Sequence, residues 1–126
     1  MNKNELSPSE TLIMKAIWEA GNQTTISDLL VALKDRYGKD YARTTILTYM
    51  VRLSDKRFVT TLREGKYTTV KALKTEDEYR REVAERDTEL WFMGRPVAFL
   101  SALHSGGKLG KEEIRQIKEY LDDLDD

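Results

Sequence analysis

The chain has 126 residues with 21 Lys and Arg against 22 Asp and Glu, no cysteine and one histidine. That length suits one compact domain, or a small domain with an accessory segment, and leaves little room for a large catalytic cleft. The absence of cysteine removes disulfides, zinc-thiolate sites and thiol redox sensing, and His104 alone offers little for metal or acid-base chemistry.

The charges are unevenly placed. Through Lys74 there are 13 Lys and Arg against 8 Asp and Glu, a net of +5, and from Thr75 onward 8 against 14, a net of −6. A basic half can meet a phosphate backbone while an acidic half stays off it. No stretch is long and apolar enough to span a bilayer, and the opening MNKNELSPSE has no apolar run behind a basic start. The expected location is the cytoplasm, away from membranes.

Ser7-Pro8-Ser9-Glu10 has the form of a helix start, with Ser7 as N-cap, Pro8 at the first helical position and Glu10 reaching back. Leu12, Ile13, Ala16, Ile17 and Ala20 share one face of this helix, and Met14 and Trp18 add a second apolar stripe, so it should be central to the core. Gly21 ends it. A second helix begins at Thr25-Ile26-Ser27-Asp28 and repeats Ile26, Leu29, Leu30 and Leu33 before running out near Tyr37-Gly38. Ile46, Tyr49, Met50 and Leu53 then give the same spacing in a third helix, from about Arg43 to Lys56.

Past Arg57 the composition turns strand-like. Phe58 to Leu62 and Tyr67 to Val70 flank Arg63-Glu64-Gly65-Lys66, which predicts a β-hairpin with a four-residue turn. Three helices and a hairpin in this order predict a winged helix-turn-helix.

A capping box at Thr75-Glu76-Asp77-Glu78 opens a long charged helix to about Phe92, with Tyr79, Val83 and Leu90 on a sparse apolar line. Gly94-Arg95-Pro96 breaks it, a short apolar helix carries Val97, Phe99, Leu100 and Leu103, and Gly106-Gly107 releases that one. The last helix, Lys111 to about Leu124, places Ile114, Ile117, Leu121 and Leu124 in the narrow seam of helix pairing. The expected architecture is mostly α with a small hairpin: a winged-helix domain over residues 1–74 and a helical dimerisation segment over 75–126. The residues expected to pair two copies are Leu90, Val97, Leu100, Leu103, Ile114, Ile117, Leu121 and Leu124.

The third helix carries the functional signal. Opposite its apolar side lie Thr44, Leu47, Thr48, Val51 and Asp55, with Arg43 and Arg52 on the flanks. Two aliphatics between two threonines are odd on a solvent face, but suit a DNA major groove, where thymine offers a methyl and base edges offer hydrogen bonds. The alternatives are packing against a neighbouring element, or docking of a protein partner on the same face. Basic residues surround it: Arg43, Arg52, Lys56, Arg57, Arg63, Lys66, Lys71 and Lys74, with only Asp55 and Glu64 in the same stretch. Phosphate contacts of this kind position a protein without specifying sequence. Trp18 and Trp91 read as packing residues. No paired carboxylates, nucleophile motif or phosphate loop stands out, so no enzyme, cofactor or metal is expected.

The run Leu6-Ser7-Pro8-Ser9-Glu10, then Ile13-Met14-Lys15-Ala16-Ile17-Trp18, Thr44-Thr45-Ile46-Leu47-Thr48-Tyr49-Met50-Val51-Arg52-Leu53 and Arg63-Glu64-Gly65-Lys66-Tyr67 resembles the penicillinase repressor family. Gly107-Lys108-Leu109, Glu112-Glu113-Ile114 and Leu121 resemble its C-terminal segment. The resemblance implies a winged-helix repressor whose C-terminal helices interlock in a homodimer. It further implies a double-stranded DNA operator, an inverted repeat with TACA and TGTA-like half-sites. Carried over by position, it assigns DNA recognition to Thr44, Thr45, Leu47, Thr48 and Arg52, and the wing contacts to Arg63 and Lys66. Leu47 departs from the basic or polar residue frequent there in the family, which puts base preference in question. The paired cysteines of the family's copper-responsive members are absent, and Ala102-Leu103 stands where its beta-lactam-responsive members have a cleavable Asn-Phe bond.

Overall fold

A computed structural model describes residues 5–125. In chain order it contains α1 (Pro8–Glu19), β1 (Gln23–Thr25), α2 (Ile26–Tyr37), α3 (Arg43–Asp55), β2 (Val59–Glu64), β3 (Tyr67–Ala72), α4 (Glu76–Phe92), α5 (Pro96–Ser105) and α6 (Lys111–Leu124). Two compact units emerge, Met1–Arg80 and Arg81–Asp126, and the division falls inside α4.

In the first unit α1 starts as its sequence demands. The Glu10 amide donates to the Ser7 hydroxyl at 3.2 Å and the Ser7 amide donates back to the Glu10 carboxylate at 2.8 Å, with Pro8 opening the first turn. Ile13, Met14, Ala16, Ile17 and Trp18 are all buried, so both apolar stripes face core; Ala20, at the C-cap, stays exposed. Ile26, Leu29 and Leu33 of α2 and Ile46, Met50 and Leu53 of α3 close over them, joined by Leu6, Phe58, Val59 and Val70. Each such side chain contributes roughly 1.5–3 kcal/mol when fully buried. At their C-terminal ends α1 and α2 meet through Glu19, which pairs with Arg36 at 3.4 Å and accepts the Tyr37 hydroxyl.

The sheet has one more strand than the hairpin pattern predicts. Three strands lie in the order β1-β3-β2, all antiparallel, with Gln23 opposite Lys71, Thr24 opposite Val70 and Thr25 opposite Thr69. A strand of three residues is too short to show an alternating pattern. Asn22, held at φ 73, turns the chain straight out of α1, and Thr25 both ends β1 and caps α2 by accepting the Asp28 amide at 3.1 Å. The wing turn is tighter than expected: Arg63 and Glu64 stay in β2, Glu64 pairs with Tyr67, and only Gly65-Lys66 form the loop. The positive φ of 59 falls at Gly65, the first loop residue, as type II′ hairpins require.

The first turn of α4 belongs to this unit. Its Tyr79 ring lies 5.9 Å from Trp18 and 5.3 Å, edge to face, from Phe58, and its hydroxyl accepts the Leu6 amide at 3.3 Å. Lys15 meets Glu76 at 2.7 Å and the Trp18 indole N–H donates to the Lys74 carbonyl at 2.7 Å.

The second unit is built differently. None of its described residues is buried. Pro96 opens α5, Phe92 and Phe99 meet edge to face at 5.2 Å, and on α6 Arg115 bridges Glu112 and Glu119.

Candidate nucleic-acid interface

The burial of Ile46, Met50 and Leu53 fixes which side of α3 faces out. Thr44, Thr45, Leu47, Thr48, Val51, Arg52 and Asp55 are all exposed, Leu47 at 38% and Val51 at 62%. Tyr49 is half-buried against Tyr41, and its ring carries the Arg52 guanidinium 5.6 Å from the centroid, which steadies that long side chain. The Thr48 hydroxyl donates to the Thr44 carbonyl at 3.1 Å, and Arg43 reaches Ser27 at 3.4 Å.

The hairpin contributes by its register. Val70 points into the core, and alternation along the strands then places Thr61, Thr68 and Arg63 on the same sheet face. Thr61 and Thr68 line a shallow cleft of about 320 Å³ with Leu47, Met50, Val51, Ser54 and Asp55. Arg63 therefore extends from the α3 side of the wing, its Nε directed at the Gly65 carbonyl at 3.4 Å, and Lys66 is exposed at the tip. Leu47 and Val51 of α3 thus share a cleft with Thr61 and Thr68 of the wing, and Arg63 lies on that same sheet face.

Four of the eight clustered cations belong elsewhere. Lys56 donates to the Glu10 carboxylate at 2.7 Å and to the Glu5 carbonyl at 2.9 Å, so it fastens α3 to the start of α1. Burial alone pushes the Glu10 carboxyl up, but the Lys56 and Ser7 hydrogen bonds and the Lys56 charge together hold it below its ordinary value. Lys74 lies over the Phe58 ring at 4.7 Å, Lys71 stands on the opposite sheet face with Gln23 and Thr60, and Arg57 occupies the turn after α3. Arg43, Arg52, Arg63 and Lys66 remain around the exposed face.

One further feature escapes motif reading. Serine or threonine caps α1 and α2, but the N-cap of α3 is Ala42, which has no side-chain acceptor. The first-turn amides of α3 are thus left to solvent or to an anion. In the sequence this shows as Ala42, rather than Ser, Thr, Asp or Asn, immediately before Arg43.

In the second unit Leu90, Val97, Leu121 and Leu124 are exposed, and Leu100, Leu103, Ile114 and Ile117 are half-buried. Trp91 and Met93, which the seam pattern omits, are 71% and 81% exposed, with Tyr120 and Phe99 also open. Trp91 is not a packing residue within the chain. Among the described residues there is no cluster of His, Asp or Glu able to hold a metal, and no helix long and apolar enough to cross a membrane.

Comparison with known proteins adds a family and a relative. A protein of Latilactobacillus sakei, described as an uncharacterized 16.5 kDa protein in the ptsI 3′ region, is 28% identical over 120 residues, covering 95% of this chain and 80% of its own. The family model for the penicillinase repressor matches residues 6–123, spanning α1 through the body of α6. With six helices, a short three-stranded sheet and nearly its whole length in register with that model, the chain belongs to the penicillinase repressor family, a family of regulators.

Proposed function

We propose that the protein is a transcriptional repressor that binds double-stranded DNA as a homodimer, through α3 in the major groove and the β2-β3 wing on the adjoining backbone. The observation that carries this reading is the exposed Thr44, Leu47, Thr48, Val51 face bordered by Arg43, Arg52, Arg63 and Lys66. It performs no catalysis, needs no cofactor and acts in the cytoplasm. The operator is an inverted repeat, with the TACA and TGTA-like half-sites that the family implies.

Dimerisation is supported by the second unit. Leu90 and Trp91 on α4, Met93 in the turn after it, Val97 on α5 and Leu121 and Leu124 on α6 lie open to water, and exposed apolar side chains gathered in this way mark a partner surface. A second copy of the same helices covers them with a twofold axis, and that axis makes the operator an inverted repeat. The winged helix reads, and the segment from Thr75 onward pairs.

Footprinting on the DNA upstream of the protein's own gene tests the reading. Two protected half-sites with centres about 34–36 Å apart, one helical turn, are expected. No protection at low salt, with a stoichiometric protein partner recovered on the α3 face, would replace it with a protein-docking module.

A further inference from the structure

We infer that Leu47 and Val51 read thymine through its C5 methyl group, and that Thr48 between them selects a base carrying an exocyclic amine, so each half-site centres on A·T pairs. This rests on the DNA-binding reading above.

Leu47 and Val51 are exposed on the side of α3 opposite Ile46, Met50 and Leu53, and both line the cleft that reaches Thr61 and Thr68 of the wing. In the major groove the only apolar group on any base is the thymine methyl; guanine shows acceptors and cytosine an amine. An aliphatic side chain pressed on a G·C pair strips water from those groups without replacing their hydrogen bonds, whereas on a methyl it loses nothing. The cations around the face, Arg43 and Arg52 on α3 and Arg63 on the wing, suit a polyanion rather than an apolar protein groove.

Thr48 narrows the choice. A hydroxyl has one hydrogen, and that of Thr48 is given to the Thr44 carbonyl at 3.1 Å. Toward the groove it offers lone pairs only, so it pairs with adenine N6 or cytosine N4 and not with guanine or thymine oxygens. An A·T pair presents an amine and a methyl on the same edge, satisfying Thr48 and a neighbouring aliphatic together. Leu47 and Val51 are one turn apart, about 6 Å along the helix. With base pairs spaced by about 3.4 Å, the two methyls belong to thymines within three base pairs of each other.

The test starts from a randomised duplex library enriched on the full-length protein. The best duplex is resynthesised with deoxyuridine replacing one thymidine at a time, which removes the methyl and keeps every hydrogen-bonding group. Two positions per half-site should lose about fourfold in affinity, the worth of one buried methyl, and the other thymines less than twofold. Leu47→Ala should abolish the penalty at one sensitive position and Val51→Ala at the other. Sequence-selective binding that uracil leaves within twofold at every position overturns the methyl reading and leaves DNA binding standing. No enrichment and no duplex binding at all overturns both.

Discussion

The Lys56 ammonium lies 2.7 Å from the carboxylate of Glu10, a residue only 2% exposed, so the last turn of α3 is bound to the first turn of α1. Glu10 also closes the α1 capping box through Ser7. One carboxylate thus caps one helix and sets the pose of another, the helix that carries the candidate interface.

That arrangement makes stability depend on acid. Because the folded Glu10 carboxyl sits below its ordinary value of 4.5, the unfolded chain binds more protons as pH falls through that region. Its contribution is complete above the ordinary value and drains away as pH drops toward the folded value; Glu76, held down by Lys15, acts in the same sense. Glu10→Gln should cost roughly 1–3 kcal/mol at neutral pH, and the gap from wild type should narrow as pH falls below 4.5. Urea melts from pH 7 to 3 measure this; a gap constant with pH would show that the ion pair contributes nothing.

Arg57 follows α3 with φ 66, a left-handed conformation that a side chain disfavours. The Phe58 amide closes on the Leu53 carbonyl at 2.9 Å and the Arg57 amide on Ser54 at 3.0 Å, the hydrogen-bond pair that usually surrounds glycine. Arg57→Gly should therefore raise stability by about 0.5–1 kcal/mol, read as a higher urea midpoint at unchanged slope. A lower midpoint would place the arginine side chain in a stabilising contact.

Arg52 and Lys56 separate two roles for basic residues on one helix. Arg52→Ala should weaken DNA binding and reduce the salt slope by about 1 per protomer while leaving stability within roughly 0.5 kcal/mol and the dimer intact. Lys56→Ala should do the reverse, lowering the melting temperature with the salt slope unchanged. Parallel titrations and melts of the two variants check this, and dissociation of the Arg52 variant into monomers would contradict its assignment to the DNA side.

Leu121 and Leu124 are 50% and 61% exposed on α6, so replacing both by Lys, whose charge suits a helix C-terminus beside acidic neighbours, should leave helical content intact. Sedimentation equilibrium should show a dimer for wild type and a monomer for the double variant. A double variant that remains dimeric would move the pairing surface off the α6 seam.

Local chemistry made most of this fold legible. Ser7, Pro8 and Glu10 mark the start of α1 by residues a few positions apart, and Ile46, Met50 and Leu53 mark the inner side of α3 by period alone. Where the deciding partner lies far along the chain, pattern was silent. In sequence Tyr79 is one member of a sparse apolar line on a charged helix, and its place between Trp18 and Phe58 exists only once α1 and the residue before β2 have come together. Strand β1 has no pattern of its own and is defined by β3. The basic residues cluster in sequence, but nothing local distinguishes Lys56, held by a carboxylate 46 residues away, from Arg52 on the open face.

The salt dependence of binding to an inverted-repeat duplex tests the central claim most directly. On the proposed reading, Arg43, Arg52, Arg63 and Lys66 of two protomers would supply eight phosphate contacts, which predicts a log–log slope of about −7 between 50 and 200 mM salt. A slope near zero, or affinity equally high for a single-stranded or protein competitor, would contradict a homodimer held on duplex DNA by these residues.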